Sequence, residues 1–278
     1  MSENNEWDKI KSCRTIVVKV GTSTLTYPNG KLNFQQIDKL AQVLTRLQKG
    51  GKKLILVSSG AIAVGSGKMS MKKKPTELSE KQALAAVGQA DLVKIYQKLF
   101  ELRHQLVAQV LLTKDIVTIP ERRINASNTL EALVEMDVIP IINENDTVAV
   151  EEIVFGDNDT LSAYVACLVN ADLLIMMSDI DGLYSSDPRV NPDATLIPLI
   201  NDITSDMEKS AKGSASGFGT GGMITKLSAA KICKQHGIPV SILNGENPEI
   251  LESILAGKPT GTLFYWKQQK ASKTVGKI

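Results

Sequence analysis

The apolar positions of this chain change period along its length. TIVVKV, residues 15–20, is almost entirely β-branched and apolar, the pattern of a strand buried on both faces. In the next segment, NFQQIDKLAQVLTRLQKGG, Phe34, Ile37, Leu40, Leu44 and Leu47 recur at spacings of three and four and so share one helical face. Asn33 is placed to cap that helix and Gly50 to end it. KLILVS (53–58) reads as a strand again. A long helix is expected over 79–103, with Ser79 and Gln82 spaced for a capping box. LVAQVLL (106–112), VIPIIN (138–143), DLLIMMS (172–178) and PVSIL (239–243) are further strands, with helical segments between most of them. Strands alternating with helices predict a three-layer α/β/α sandwich with a mainly parallel central sheet. No repeat or low-complexity linker interrupts the chain, so residues 1–278 are expected to form a single domain, with two lobes dividing near residue 170.

Composition narrows the setting. Hydrophobic residues make up 43% and charged residues 22%, enough apolar material for a sizeable core. Lys and Arg number 32 against 30 acidic residues, a net +2, which provides no basic field for nucleic acid or a membrane surface. The densest basic run, Lys72–Lys74, is expected to be a solvated loop. The polar start lacks the apolar stretch of a signal peptide, and Asn170 and Asp172 interrupt the most apolar segment, so no membrane span is expected. Cys13, Cys167 and Cys233 lie far apart among apolar residues and are expected to be buried free thiols; two histidines without ligand spacing give no zinc pattern. A cytoplasmic location is expected.

Open parallel sheets bind ligands beyond the carboxyl ends of their strands. Four such ends carry small, polar or charged residues in succession: Gly21-Thr22-Ser23 with Lys19 just inside, Ser58-Ser59-Gly60-Ala61, Asn143-Glu144-Asn145-Asp146, and Ser178-Asp179-Ile180-Asp181-Gly182. A further candidate is GFGTGGMITK, from Gly217 to Lys226. No strand precedes its first glycine, so it is not a dinucleotide fingerprint. Gly67-Lys68 fails as a Walker A loop, with Ile62 and Met69 where a glycine and a hydroxyl are required, and the H-R-D signature of protein kinases is absent. What remains is a glycine-rich loop entering a helix that Gly237 closes, with Lys226 in its first turn. An exposed cation there opposes the helix dipole by roughly 0.3–1 kcal/mol, a cost that an anion held at the helix N-terminus would reverse. Lys226 is expected to bury little and to matter little for folding.

VVKVGTS, SSGAIAVG, AAVGQ, INENDTV, GDNDTLSA, SDIDGLY, DPR and GTGGMITK, in this order, resemble the amino acid kinase family, and the pairing of INEND with GDNDTLSA resembles its glutamate 5-kinase branch. The resemblance covers about residues 14 to 265. It implies an amino acid kinase-like fold, with an amino-acid-binding lobe over about 14–170, a nucleotide-binding lobe over about 171–265 and a frayed tail over 266–278. It implies transfer of the γ-phosphoryl group of ATP to the side-chain carboxylate of L-glutamate, the first step of proline biosynthesis. Lys19 and Lys226 correspond to the family's two catalytic lysines, and Asp159 to the aspartate that holds them. Asp146 would pair with the substrate ammonium, and Ser59 and Asn158 would be donors to a carboxylate. Lys19, Ser178, Asp179, Thr220, Gly221, Gly222, Met223, Ile224, Thr225 and Lys226 would bind ATP, with Gly21 and Gly60 also bringing backbone N–H groups to the phosphates. Mg²⁺ would be carried by the nucleotide phosphates, with no protein ligand expected. L-proline is expected as an inhibitor and a homo-oligomer as the assembly, with no nucleic-acid or membrane partner. Many members of the branch continue into a PUA domain; here the family's GTLF falls at Gly261–Phe264, and no such domain is expected. Two alternatives stay open on the residues alone: a kinase of the same fold acting on carbamate, aspartate or a nucleoside monophosphate, and a non-catalytic regulator.

Overall fold

The computed structural model describes residues 4–27, 29, 31–71, 73–148, 158–212 and 222–266. In chain order the elements are α1 (Asn4–Ile10), β1 (Thr15–Val20), α2 (Thr22–Leu25), α3 (Phe34–Lys49), β2 (Lys53–Ser58), α4 (Ala61–Lys68), α5 (Leu78–Glu101), β3 (Val107–Leu112), α6 (Asp115–Thr118) and α7 (Pro120–Glu135). There follow β4 (Ile139–Glu144), α8 (Asn158–Leu168), β5 (Leu173–Ser178), β6 (Leu199–Ile200), α9 (Ser205–Lys212), α10 (Met223–Gln235), β7 (Val240–Asn244), α11 (Ile250–Leu255) and β8 (Thr262–Phe264). The strands form one sheet in the order β3-β4-β2-β1-β5-β7-β8-β6. Every pairing is parallel except β7 with β8. This is the α/β/α sandwich that the alternation of periods predicts.

The unbroken apolar strands divide by parity, because successive side chains leave opposite faces. Ile16, Val18 and Val20 of β1, Leu54 and Leu56 of β2, and Leu173, Ile175 and Met177 of β5 enter one core with α1, α3, α5 and α11. Val17, Ile55, Val57, Leu174 and Met176 enter the other, with α7, α8 and α10. Each fully buried Leu, Ile or Val contributes about 1.5–3 kcal/mol, so these central strands supply much of the driving force for folding. The same parity puts Lys19 on the face of Val17, towards α8 and α10, and Ser58 on the face of Leu56, towards α5.

Two glycines let α4 and α5 pack backbone to backbone. A β-carbon on Gly65 would overlap the Leu84 carbonyl, and one on Gly88 would overlap the Ala61 carbonyl. At the start of α4, Gly60 has φ of 102°, a conformation that L side chains rarely adopt.

Some local expectations are corrected. Asn33 does cap α3, its side chain accepting from Gln36 N, and Gly50 ends it, but Phe34 is 58% exposed. Helical side chains lean towards the N-terminus, so at the first helical position there is little beneath the ring to cover. The capping box at Ser79 does not form: α5 starts at Leu78 after Glu77, which makes no side-chain capping bond, and Ser79 lies inside the first turn. At the head of the supposed frayed tail, Trp266 is buried, donates from Nε1 to the Ile238 carbonyl (2.6 Å) and packs on Phe264; residues 267–278 lie outside the described residues. The three cysteines are free thiols, Cys13 and Cys233 buried and Cys167 half-buried. No helix among the described residues is long and apolar enough to cross a membrane.

Candidate active site

The strands β1, β2, β4, β5 and β7 run in one direction, so their carboxyl ends gather at one edge of the sheet. The chain builds outward from β1 on both sides, first through β2 and later through β5, which makes the end of β1 the crevice of the sheet. Lys19 lies there, one residue before the strand ends, 5% exposed. Its Nζ meets Asp159 Oδ1 at 2.6 Å. Asp159, in the first turn of α8, has no exposed surface, and its other oxygen accepts from Lys226 Nζ at 3.1 Å and from Thr225 Oγ1 at 2.9 Å. One carboxylate thus bridges two lysines from elements that are distant in sequence. Burial alone would push the Asp159 carboxyl up, but the charges of Lys19 and then Lys226, with their hydrogen bonds, outweigh it and hold the group well below the usual carboxylate range.

Lys226 is 5% exposed, contrary to its expected exposure. Packing of α10 on α8 covers it, and the anion that answers its charge is the Asp159 carboxylate. Thr225 fastens the same turn, its hydroxyl lying 2.7 Å from the Gly222 carbonyl as well as against Asp159. Among the described residues, no side chain caps α10 at its N-cap residue, Gly222.

A second polar cluster joins the ends of β2 and β4. Asn158, immediately before Asp159, uses Nδ2 to reach the Ser58 carbonyl (2.8 Å), Ser59 Oγ (3.1 Å) and Asn143 Oδ1 (2.9 Å). Its two amide protons are therefore shared among three protein acceptors, an arrangement that the expected role of carboxylate donor does not anticipate. Asn143 Nδ2 donates to Gln89 Oε1 at 2.8 Å, and Ser58 Oγ lies 3.1 Å from the buried Tyr96 hydroxyl. Asp146, in the turn after β4, has its carboxyl raised by burial to about 6.

Beyond β5 a cleft is lined by residues including Ser178, Asp179, Tyr184, Arg189, Met223 and Lys226. Ser178 is buried, with its hydroxyl on Asp179 Oδ1 at 3.1 Å. Gly222 also borders the cleft, while Ile224 and Thr225 stand half-buried on α10 beside it. Lys226 belongs both to this cleft and to the lysine–aspartate bridge, so cleft and bridge are continuous. Among the sequence-derived candidates, Lys19, Asp159, Thr225 and Lys226 meet directly, as do Ser59 and Asn158. Thr220 and Gly221 lie outside the described residues. Sequence reasoning did not single out Gln89 and Tyr96; the signal for Gln89 was its place beside Gly88 in AAVGQ.

Comparison with known proteins sets this geometry in a family. Residues 14–244 match the model of the amino acid kinase family. A glutamate 5-kinase of Listeria innocua is 52% identical over 269 residues, covering 95% of this chain and 98% of its own. A glutamate 5-kinase of Clostridium perfringens is 51% identical over 263 residues, covering 93% and 98%. Among solved structures, a UMP kinase from Ureaplasma parvum superposes with a TM-score of 0.64 over 91% of this chain at 15% identity, a likeness of fold alone. The chain belongs to the amino acid kinase family, and within it to the glutamate 5-kinases.

Proposed function

We propose that this protein transfers the γ-phosphoryl group of ATP to the side-chain carboxylate of L-glutamate, giving L-glutamyl 5-phosphate for proline biosynthesis. The observation that carries the reading is the buried pair of lysines held by one carboxylate at the crevice of the sheet. Phosphoryl transfer depends mainly on positioning and on neutralising charge on the transferred group. Of the two bridged lysines, Lys226 also lines the cleft and brings its positive charge there. Lys19 and Lys226 are held before substrate arrives, so little reorganisation is needed when charge develops. Asp159 and Thr225 act as positioning residues for them.

The uncapped start of α10 and Lys226 beside it suit the nucleotide phosphates. Among the described residues no three acidic, histidine or cysteine side chains converge as a metal site. A magnesium ion carried by the nucleotide phosphates and water would supply further charge neutralisation. At the amino-acid end, Asp146 offers a carboxylate to the α-ammonium, which N-acetylglutamate and UMP lack. L-proline keeps an ammonium and an α-carboxylate but no side-chain carboxylate to phosphorylate, which supports its role as a competing inhibitor. The assembly expected is a homo-oligomer.

Hydroxamate formation with hydroxylamine tests the reading. With Mg²⁺ and ATP the protein turns over L-glutamate, and glutamate relieves inhibition by millimolar proline. A linked ADP-release assay shows no appreciable turnover of N-acetylglutamate, aspartate, carbamate or UMP. Comparable turnover on any of these four would overturn the assignment.

A further inference from the structure

Gln89 has no part in the chemistry described above, yet it ends a hydrogen-bonded relay that begins beside Asp159. The direction of this relay is fixed by backbone groups whose roles are not interchangeable. The Ser58 carbonyl can only accept, so the atom of Asn158 that faces it is the nitrogen. The Glu144 N–H can only donate, and it lies 2.9 Å from Asn143, so the Asn143 atom there is the oxygen. Asn143 must then turn its nitrogen to Gln89, and Gln89 must answer with its oxygen. The relay therefore runs from Asn158 to Asn143 to Gln89, with one satisfactory polarity. Asn143 is 3% exposed, so its amide has little access to water as a substitute partner. The neighbouring Gly88 brings α5 against the start of α4 and sets the reach of Gln89.

We propose that Gln89 is a positioning residue for the amino-acid substrate: as the terminal acceptor of the relay it holds Asn143, and through it the Asn158 amide and the Ser59 hydroxyl, in the orientation that receives glutamate. This rests on the glutamate reading above. Without an acceptor at position 89 the Asn143 amide cannot simply flip, because its nitrogen would then face the Glu144 N–H. It withdraws instead, and Asn158 loses one of its three acceptors.

Three variants separate polarity from packing. Gln89→Met keeps length but removes the acceptor, Gln89→Glu keeps an acceptor oxygen, and Gln89→Lys presents only donors. KM for glutamate rises about tenfold in Gln89→Met, the scale of one buried donor left without a partner, and rises further in Gln89→Lys. It stays within about threefold of wild type in Gln89→Glu, and KM for ATP is unchanged in all three. A Gln89→Met enzyme with unchanged KM for glutamate, or with both KM values raised together, would overturn the proposal. A second readout does not depend on turnover. In protein labelled with ¹⁵N-asparagine, the Asn143 and Asn158 side-chain amide protons exchange with solvent faster in Gln89→Met than in wild type or Gln89→Glu. Equal exchange rates defeat the relay whatever the substrate. A wild-type protein that ignores glutamate but shows the exchange difference defeats the reading of function and leaves the relay standing.

Discussion

Two residues carry consequences that local sequence conceals. Lys226 reads as an exposed lysine in the first turn of a helix, and its removal would then affect the reaction and little else. Because it is buried against Asp159, Lys226→Ala is expected to act twice. The kcat falls by roughly 10²–10³, the scale for losing one preorganised donor to developing charge. Stability also falls by about 1–3 kcal/mol, since Asp159 keeps only one lysine and loses a buried partner. Steady-state kinetics and urea midpoints check the two effects separately, and an unchanged midpoint would mean that the burial contributes nothing. Asp146 works in the opposite sense. Its carboxyl titrates near 6 instead of the usual 3.8, so the folded protein favours the protonated form. Stability from this group is present below about pH 4 and is lost as pH rises through 6. The proposed pairing with the substrate ammonium needs the ionised form, so kcat/KM for glutamate is expected to decline as pH falls below about 6. In Asp146→Asn that decline disappears, KM for glutamate is high at every pH and KM for ATP is unaltered, while the unliganded variant is more stable than wild type at pH 7–8. A wild-type profile that is flat from pH 5 to 8 would refute the assignment.

At the scale of elements, the close contact of α4 with α5 ties helix packing to the role proposed for Gln89. Gly88 inside a helix costs about 1 kcal/mol relative to alanine, and on propensity alone Gly88→Ala would stabilise α5. The overlap of a β-carbon with the Ala61 carbonyl, which is backbone and cannot rotate aside, forces the helices apart. Overpacking of this kind costs about 1–3 kcal/mol, so the net effect is destabilising. Moving α5 also withdraws Gln89 from Asn143. Gly88→Ala is therefore expected to lower the urea midpoint and to raise KM for glutamate more than KM for ATP; a stabilised variant with normal KM values would mean that the helices do not meet here. The central strands were legible because a strand buried on both faces reads as an uninterrupted apolar run. The helix boundaries were less so. Ser79 and Gln82 have the spacing of a capping box, but the helix begins one residue before Ser79, and spacing alone does not set its start.

For the molecule as a whole, sequence patterning sufficed for the layered α/β/α architecture, because alternating periods of two and 3.6 leave few other ways to bury both faces of a parallel sheet. Lys19 at a strand end and Lys226 at a helix start were likewise readable from the pattern, and Asp159 through the resemblance of its motif to the family. Their partnership was not readable. Lys19 faces α8 through strand parity together with the packing of α8 on that face, and Asp159 lies between the lysines only once α8 and α10 are packed together. The antiparallel turn of β8 beside β7 and the anchoring of Trp266 also depend on neighbours far along the chain. The relay through Asn158, Asn143 and Gln89 shows the division most plainly. Sequence supplies three amides, each with a donating nitrogen and an accepting oxygen whose places a flip can exchange. The tertiary fold decides their direction, because it sets one amide against a backbone carbonyl and the next against a backbone N–H, whose polarities cannot be reversed.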